Sequence, residues 1–433
     1  AFDLLMLVCS RSCYLTDIVV RDIGMLDLFY DLAFIRQVKD LPKYQKDLSS
    51  LLTLHRSDEG QLRSMRYYKR REFCRIALQD LSGTIDFWTC VAQLSDLAQA
   101  LVQSAVQLAV RELLPRYGQV SSRYCVLAMG KLGGGELNYS SDIDLVVVYE
   151  KAGETSGPSL ISNGEFFAKL TERLIYYLTL SNEHGSVYRV DLDLRPWGNK
   201  SDLAHSLDSL LSYWDKYVEA WERQAFIKAR PIAGDLAFGE ETLALLKPRI
   251  YINPLPPQLL EQIQKTKRQV EQHSQKADTG RINVKTDPGG IRDVEFTVQL
   301  LQLKFGAVQP GLQQVSTRAA LEALRQNGLL QHHEAEALLE AYVFLRRVEH
   351  MLQIMTNQQL YHLPQQRQAR EQIGQRLGFA PGAFDGEYRQ KTQLVRGLFE
   401  ELFLKRVHDT EPIEVSWSLL LYRPPSADLK LAL

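Results

Sequence analysis

The sequence predicts a mostly helical α+β protein, with an α/β core mid-chain, a helical segment before it and a helical bundle after it. Three observations lead there. Apolar residues recur at helical spacing over 1–115, where Pro and Gly are scarce. Short apolar runs of strand character flank a glycine-rich segment within 116–250. The run Ile252-Asn253-Pro254-Leu255-Pro256-Pro257 then breaks the chain before a second helical stretch over 258–405, and 406–433 reads as a tail. A chain of 433 residues exceeds one ordinary core, so two or three folding units are expected.

In the first region Arg63, Arg66, Lys69, Arg70, Arg71 and Arg75 crowd one helix. They read equally as a solvated face or as a surface for phosphate or an acidic partner. Next, Tyr124 to Met129 reads as a strand, Gly130 to Gly135 as a glycine loop, and Asp142 to Tyr149 as a buried central strand. Ser162 and Glu165 have capping-box spacing, and Phe166, Phe167, Leu170, Leu174 and Ile175 form the apolar face of the helix they start. A third strand is expected over 187–195, ended by Pro196 and Gly198, and Leu207 to Arg230 reads as helix. In the second helical stretch Leu338, Tyr342, Leu345 and Leu352 share a face.

Lys+Arg (51) and Asp+Glu (52) balance, so no global charge draws the chain to nucleic acid or membrane, and neither is expected as a partner. Five cysteines without paired spacing argue against a disulfide framework and for a cytoplasmic protein; Cys9 and Cys13 read as a helix face rather than a metal site. No apolar run approaches a membrane span. The opening residues lack a basic start and a cleavage site, and the first is Ala, as in a processed or excised chain.

The chemistry gathers around Asp142 and Asp144. Two residues apart on a strand, they share one face, where each carboxylate raises the other's pKa unless a cation lies between them. A hard divalent ion, Mg²⁺ or Mn²⁺, answers that need and is commonly shared with substrate phosphates. The third strand repeats the device with Asp191, Asp193 and Arg195, so up to four carboxylates converge if the strands are neighbours, with Arg195 placed to neutralise phosphate. Gly130, Gly133, Gly134 and Gly135 leave backbone N–H groups open to a phosphate, and Lys131 adds a charge in the same loop. Each part alone has a bland explanation: a solvated turn, a tight turn, a sheet edge. Their conjunction points to metal–nucleotide chemistry. Neither a P-loop nor a dinucleotide-binding glycine fingerprint is present.

The run GKLGGGELNYSSDIDL over 130–145 resembles the signature of glutamine synthetase adenylyltransferase, the bifunctional adenylyl-transferring and adenylyl-removing enzyme of bacterial nitrogen control. Further segments agree: VYRVD through LRPWG over 187–198, WERQAFIKAR over 221–230, NVK over 283–285 with GGIRDVEF over 289–296, and YVFLRRVE over 342–349. The resemblance runs from about residue 60 to 405. It implies a nucleotidyltransferase core of the DNA polymerase β-like type, with a mixed sheet. It implies metal ligation and catalysis by Asp142, Asp144 and Asp191, with Asp193 a further candidate ligand. Gly130, Lys131, Gly134, Ser141 and Arg195 become candidates for binding nucleotide (ATP or ADP) and phosphate. Glutamine synthetase is implied as protein substrate, with the PII signalling protein and glutamine as regulators. The Ser-Ser-Asp-Ile-Asp form after Asn138 resembles the N-terminal half of the family's two-half protein, associated with removing AMP from a tyrosine by phosphorolysis. The alternatives are AMP addition from ATP, a catalytically weakened module that binds PII and glutamine synthetase, or a transferase acting on a small molecule. One position departs from the family form: Asp193 stands where D-x-R-L-R-P has Arg. That change either weakens phosphate binding or adds a metal ligand. Two more segments keep two readings each. Arg223, Lys228 and Arg230 read equally as a solvated face or a phosphate surface. Arg292, Asp293 and Glu295 read as a helix cap with an interdomain ion pair, or as substrate contacts.

Overall fold

In the computed structural model, which describes residues 2–183, 185–277 and 281–406, helices run from Phe2 to Tyr117 before any strand appears. The two long ones, Asp58–Leu81 and Phe87–Tyr117, start where an oxygen side chain caps a free N–H: Ser57 accepts from Gly60, and Asp86 from Thr89. Gly118, at φ +72°, ends the second. Cys9 and Cys13 are exposed on two successive helices, not on one face.

The basic stretch of Asp58–Leu81 is not a solvated face. Arg66, Lys69, Arg70 and Arg75 are all buried. Arg75 is held by Glu72 at 2.7 Å, Gln79, Gln93 and the Tyr44 hydroxyl. Charged residues lie on all sides of this helix because the surrounding helices supply partners for most of them.

The sheet has five strands: β1 (Tyr124–Ala128), β2 (Ile143–Tyr149), β3 (Val190–Asp191), β4 (Ala204–Ser206) and β5 (Arg230–Gly234). The order is β3-β2-β1-β5, with β4 also on β2. β1 is antiparallel to β2 and β5, whereas β3 and β4 run parallel to β2. β2 reads as nearly all apolar because both of its faces are covered. Ile143, Leu145 and Val147 join a core shared with the N-terminal helices and the bundle, while Val146 and Val148 pack with Leu210, Trp214, Phe226 and Phe238. Ser162 caps the helix Asn163–Thr179 as its spacing predicts, accepting from the Glu165 N–H at 3.1 Å.

Two expectations need correction. The strand expected over 187–195 is only Val190–Asp191, because the chain turns at Asp193 to Trp197. The helix expected over 207–230 is two helices, Leu207–Lys216 and Ala220–Phe226, followed by β5. β5 and β4 escape periodicity because they are short, and β5 carries Pro231 and Gly234, which mark it as an edge strand.

After residue 257 the described chain is helical apart from isolated bridges, with Ile291–Phe305, Thr317–Gln326, His332–Thr356 and Phe384–Phe399 as the main elements. Leu338, Tyr342, Leu345 and Leu352 are buried as their shared face requires. These helices extend the same core that covers one face of β2. No helix among the described residues is long and apolar enough to cross a membrane. From residue 407 the expected tail lies outside the described residues.

Candidate active site

The parallel pairing of β2 and β3 sets Asp144 directly beside Asp191. Asp142, two residues before Asp144, lies just ahead of β2. Asp144 is largely buried, and its carboxyl is pushed up to about 6 by that burial and by the charges of Asp191 and Asp142, with Lys285 and Lys131 opposing. Arg189, just before β3, ion-pairs with Asp142 through Nε and donates from Nη2 to the Ser140 carbonyl at 3.0 Å. The Asp193 backbone N–H donates to Asp191 Oδ1 at 2.8 Å, so the turn after β3 holds that carboxylate. Ser141, half-buried, leads directly into Asp142.

The glycine run is a packed helical turn rather than an open loop. Gly130–Gly133 is helical, and the N–H groups of Gly133, Gly134 and Gly135 are spent on carbonyls of the same turn. Its glycines are needed for close approach instead. A Cβ on Gly130, at φ +54°, would fall 2.4 Å from Asp144 Oδ2; one on Gly133 would strike the Lys228 carbonyl; one on Gly134 would lie 3.2 Å from the Val315 carbonyl. Lys131 is engaged too, pairing with the fully buried Glu349 at 2.7 Å.

Arg195 also has another task. The strand ends at Asp191, so the alternation that would set Asp193 and Arg195 on its face does not continue. Arg195 is buried and donates to the carbonyls of Leu192, Ser201 and Asp202, bracing the loop after β3. Asp193 is exposed and faces a cavity lined by Trp197, Tyr213 and Tyr217.

The other charged motifs tie the bundle to the sheet. Lys228 is buried and bonds Glu136 at 3.3 Å and Glu295 at 3.1 Å. Glu136 also accepts from the Thr317 N–H and the Tyr342 hydroxyl, and Arg346 reaches the Glu136 carbonyl and Asn138. Arg230 grips the carbonyls of Leu132 and Gly133, and Arg223 that of Arg249. Asp293, in the first turn of Ile291–Phe305, accepts from the Gly289 N–H at 2.7 Å and ion-pairs with Lys267. These residues position the site; they do not line it.

Among the described residues, the group of ligand-type atoms all within 4.8 Å of one another is a different one: Asp80, Cys90 and His350. Its polar groups are already occupied. The Tyr139 hydroxyl donates to Asp80 at 2.8 Å and lies 3.2 Å from Cys90 Sγ, while His350 Nε2 meets Asn138 Oδ1 at 2.9 Å. Burial and the Asp80 charge push the Cys90 thiol well up, away from the thiolate a metal needs. This cluster reads as a hydrogen-bonded core. The Asp142–Asp144–Asp191 set offers only carboxylate oxygens and an excess of negative charge, which suits a hard divalent cation.

Two residues beside the carboxylates lie in segments that carry the family resemblance but received no role from the sequence. Arg189 is one. Lys285 is the other: it comes from a loop pinned by Asn283 Oδ1, lies over the Tyr361 ring at 4.6 Å and acts electrostatically on Asp144.

Comparisons with known proteins agree with this architecture. A family model described as Glutamate-ammonia ligase adenylyltransferase matches residues 2–245, and one described as GlnD PII-uridylyltransferase matches 258–403. Three relatives carry the name bifunctional glutamine synthetase adenylyltransferase/adenylyl-removing enzyme. The protein of Hahella chejuensis is 36% identical over 79% of this chain and 36% of its own length. That of Xanthomonas campestris is 37% identical over 80% and 38%, and that of Aromatoleum aromaticum 34% over 87% and 41%. The chain thus spans well under half the length of these relatives. With the family model covering more than half of its residues, the chain belongs to the glutamate-ammonia ligase adenylyltransferase family.

Proposed function

We propose that this chain removes AMP from an adenylylated tyrosine of glutamine synthetase by metal-dependent phosphorolysis, releasing ADP. The observation that carries the reading is the carboxylate set: Asp144 abreast of Asp191, with Asp142 two residues away and the Asp144 carboxyl raised by burial and by the charges of Asp191 and Asp142. Asp142, Asp144 and Asp191 would hold Mg²⁺ or Mn²⁺, which supplies charge neutralisation at the phosphoryl oxygens. Gly130 keeps space for the Asp144 carboxylate, and Arg189 orients Asp142. A phosphate oxygen attacks the phosphorus of the tyrosyl-AMP ester. The bond from phosphorus to the tyrosine oxygen breaks, and that oxygen takes a proton. The direction rests on the Ser-Ser-Asp-Ile-Asp form after Asn138, and the substrate on the names of the relatives. The PII signalling protein is proposed as regulator, the cytoplasm as location.

The experiment is to incubate the chain with adenylylated glutamine synthetase, Mg²⁺ and phosphate, and to follow ADP. Asp142→Asn is expected to cut the rate about a hundredfold or more while the protein stays folded. ADP release at the wild-type rate from the folded variant would sink the assignment. A second reading, a regulatory module, is favoured by Asp193 in place of a basic residue; it predicts no ADP from the wild-type chain.

A further inference from the structure

Beside the carboxylates is a cavity of 390 Å³ between the Asp58–Leu81 helix, the Cys13–Arg21 helix and the loop leading into β3. Its walls include four cationic side chains, Arg21, Lys69, Arg70 and Arg189, together with the hydroxyls of Ser140, Ser141 and Tyr188. Arg189 is also the residue that grips Asp142, so the cavity adjoins the proposed catalytic centre directly.

Two of these cations are under-compensated. Lys69 is 7% exposed, and among the described residues no carboxylate lies within ion-pair distance of it. Its ammonium lies 4.7 Å from the Phe73 ring centre and 5.5 Å from that of Tyr188, contacts that only partly replace hydration. The neighbour that favours its charge most is the Cys74 thiol, which burial pushes up to about 12 and so leaves neutral. Arg70 is 8% exposed; its Nε is buried without an acceptor, and its one ion pair, to Asp22, is long at 3.4 Å. Asp17 and Glu183 also line the cavity, but Asp17 is bonded to Arg21 at 2.8 Å. Buried cations left without counter-charge are costly unless a ligand completes them. Arg75 on the same helix shows the contrast, since it is paired with the buried Glu72 at 2.7 Å.

We infer that this cavity is an oxyanion site, completed by inorganic phosphate bound between Lys69 and Arg70 and delivered toward the carboxylates past Arg189. The assignment of phosphate as the natural ligand rests on the phosphorolysis reading; the anion site itself does not. The cavity is wider than one phosphate and leaves room for several waters at about 30 Å³ each. Lys69 and Arg70 can only donate, which favours a ligand that accepts at their side of the cavity.

The test is a titration of the full chain with inorganic phosphate, read by calorimetry, and by mass-spectrometric acylation of Lys69. Saturable binding is expected, with phosphate slowing acylation of Lys69. Lys69→Gln is expected to weaken phosphate binding about tenfold or more and to raise the phosphate KM alike, with Mn²⁺ binding at the carboxylates unchanged. Absence of saturable phosphate binding to the wild-type chain overturns the site, as does an unaltered affinity in a cooperatively folded Lys69→Gln. The acylation readout needs no variant, so it decides the matter if Lys69→Gln does not fold. Lys69-dependent phosphate binding without ADP release from adenylylated glutamine synthetase upholds the site while removing the phosphorolysis reading.

Discussion

Glu349, fully buried, and Asp144, largely buried, are acids near the same glycine turn, yet the protein treats them in opposite ways. Burial pushes Glu349 up, but Lys131 and Arg346 outweigh it and hold the carboxyl down at about 2. Burial pushes Asp144 up, and Asp191 and Asp142 add to it, so it reaches about 6. The pH signs follow. Glu349 contributes stability that is complete above its ordinary 4.5 and is lost as pH falls toward about 2. Asp144 contributes stability that is complete below its ordinary 3.8 and is lost as pH rises through about 6. The first acid belongs to a network whose counter-charges the chain supplies, from Lys131 on the turn to Arg346 on the bundle. The second belongs to a set of three carboxylates that Arg189, Lys285 and Lys131 only partly offset, and the proposed metal ion would supply the rest. The difference separates residues that build the site from residues proposed to work in it.

The largest effect is expected where the compensated network is broken. Lys228→Met leaves Glu136 and Glu295 facing each other in the core, and should cost about 3–5 kcal/mol. Denaturant unfolding measures it, and an unchanged midpoint would show that the network does not bind bundle to sheet. A smaller effect is expected at the seam between the regions. Gly130→Ala forces a side chain into left-handed backbone, for about 1–2 kcal/mol, and drives it against Asp144. AMP removal should fall by more than that stability loss explains, because the carboxylate itself must move. Activity that merely tracks the folded fraction would assign Gly130 a structural role alone.

Much of this division was legible in the sequence, though unevenly. Alternation placed Asp142 and Asp144 on one face of an apolar strand, and the capping residue Ser162 falls where its helix starts. The pairing of Asp144 with Asp191 followed once the two strands were taken as neighbours. Beyond Asp191 the alternation misled, since Val190 to Leu194 has strand periodicity but the chain turns there to hold the Asp191 carboxylate through the Asp193 N–H. Nothing local shows that Lys131 answers to Glu349, 218 residues away, or that Lys69 and Arg70 face a cavity while Arg75 does not. Such roles depend on which elements pack together, and a single sequence states the charges without their partners.

The most direct test of the account is Mn²⁺ binding to the chain, followed by electron paramagnetic resonance, with Asp144→Asn beside it. Wild-type protein should bind Mn²⁺ at neutral pH, weaken as pH falls below about 6 where Asp144 takes up a proton, and lose binding with Asp144→Asn while remaining folded. Equal Mn²⁺ affinity in the two proteins would contradict the claim that Asp142, Asp144 and Asp191 await a cation.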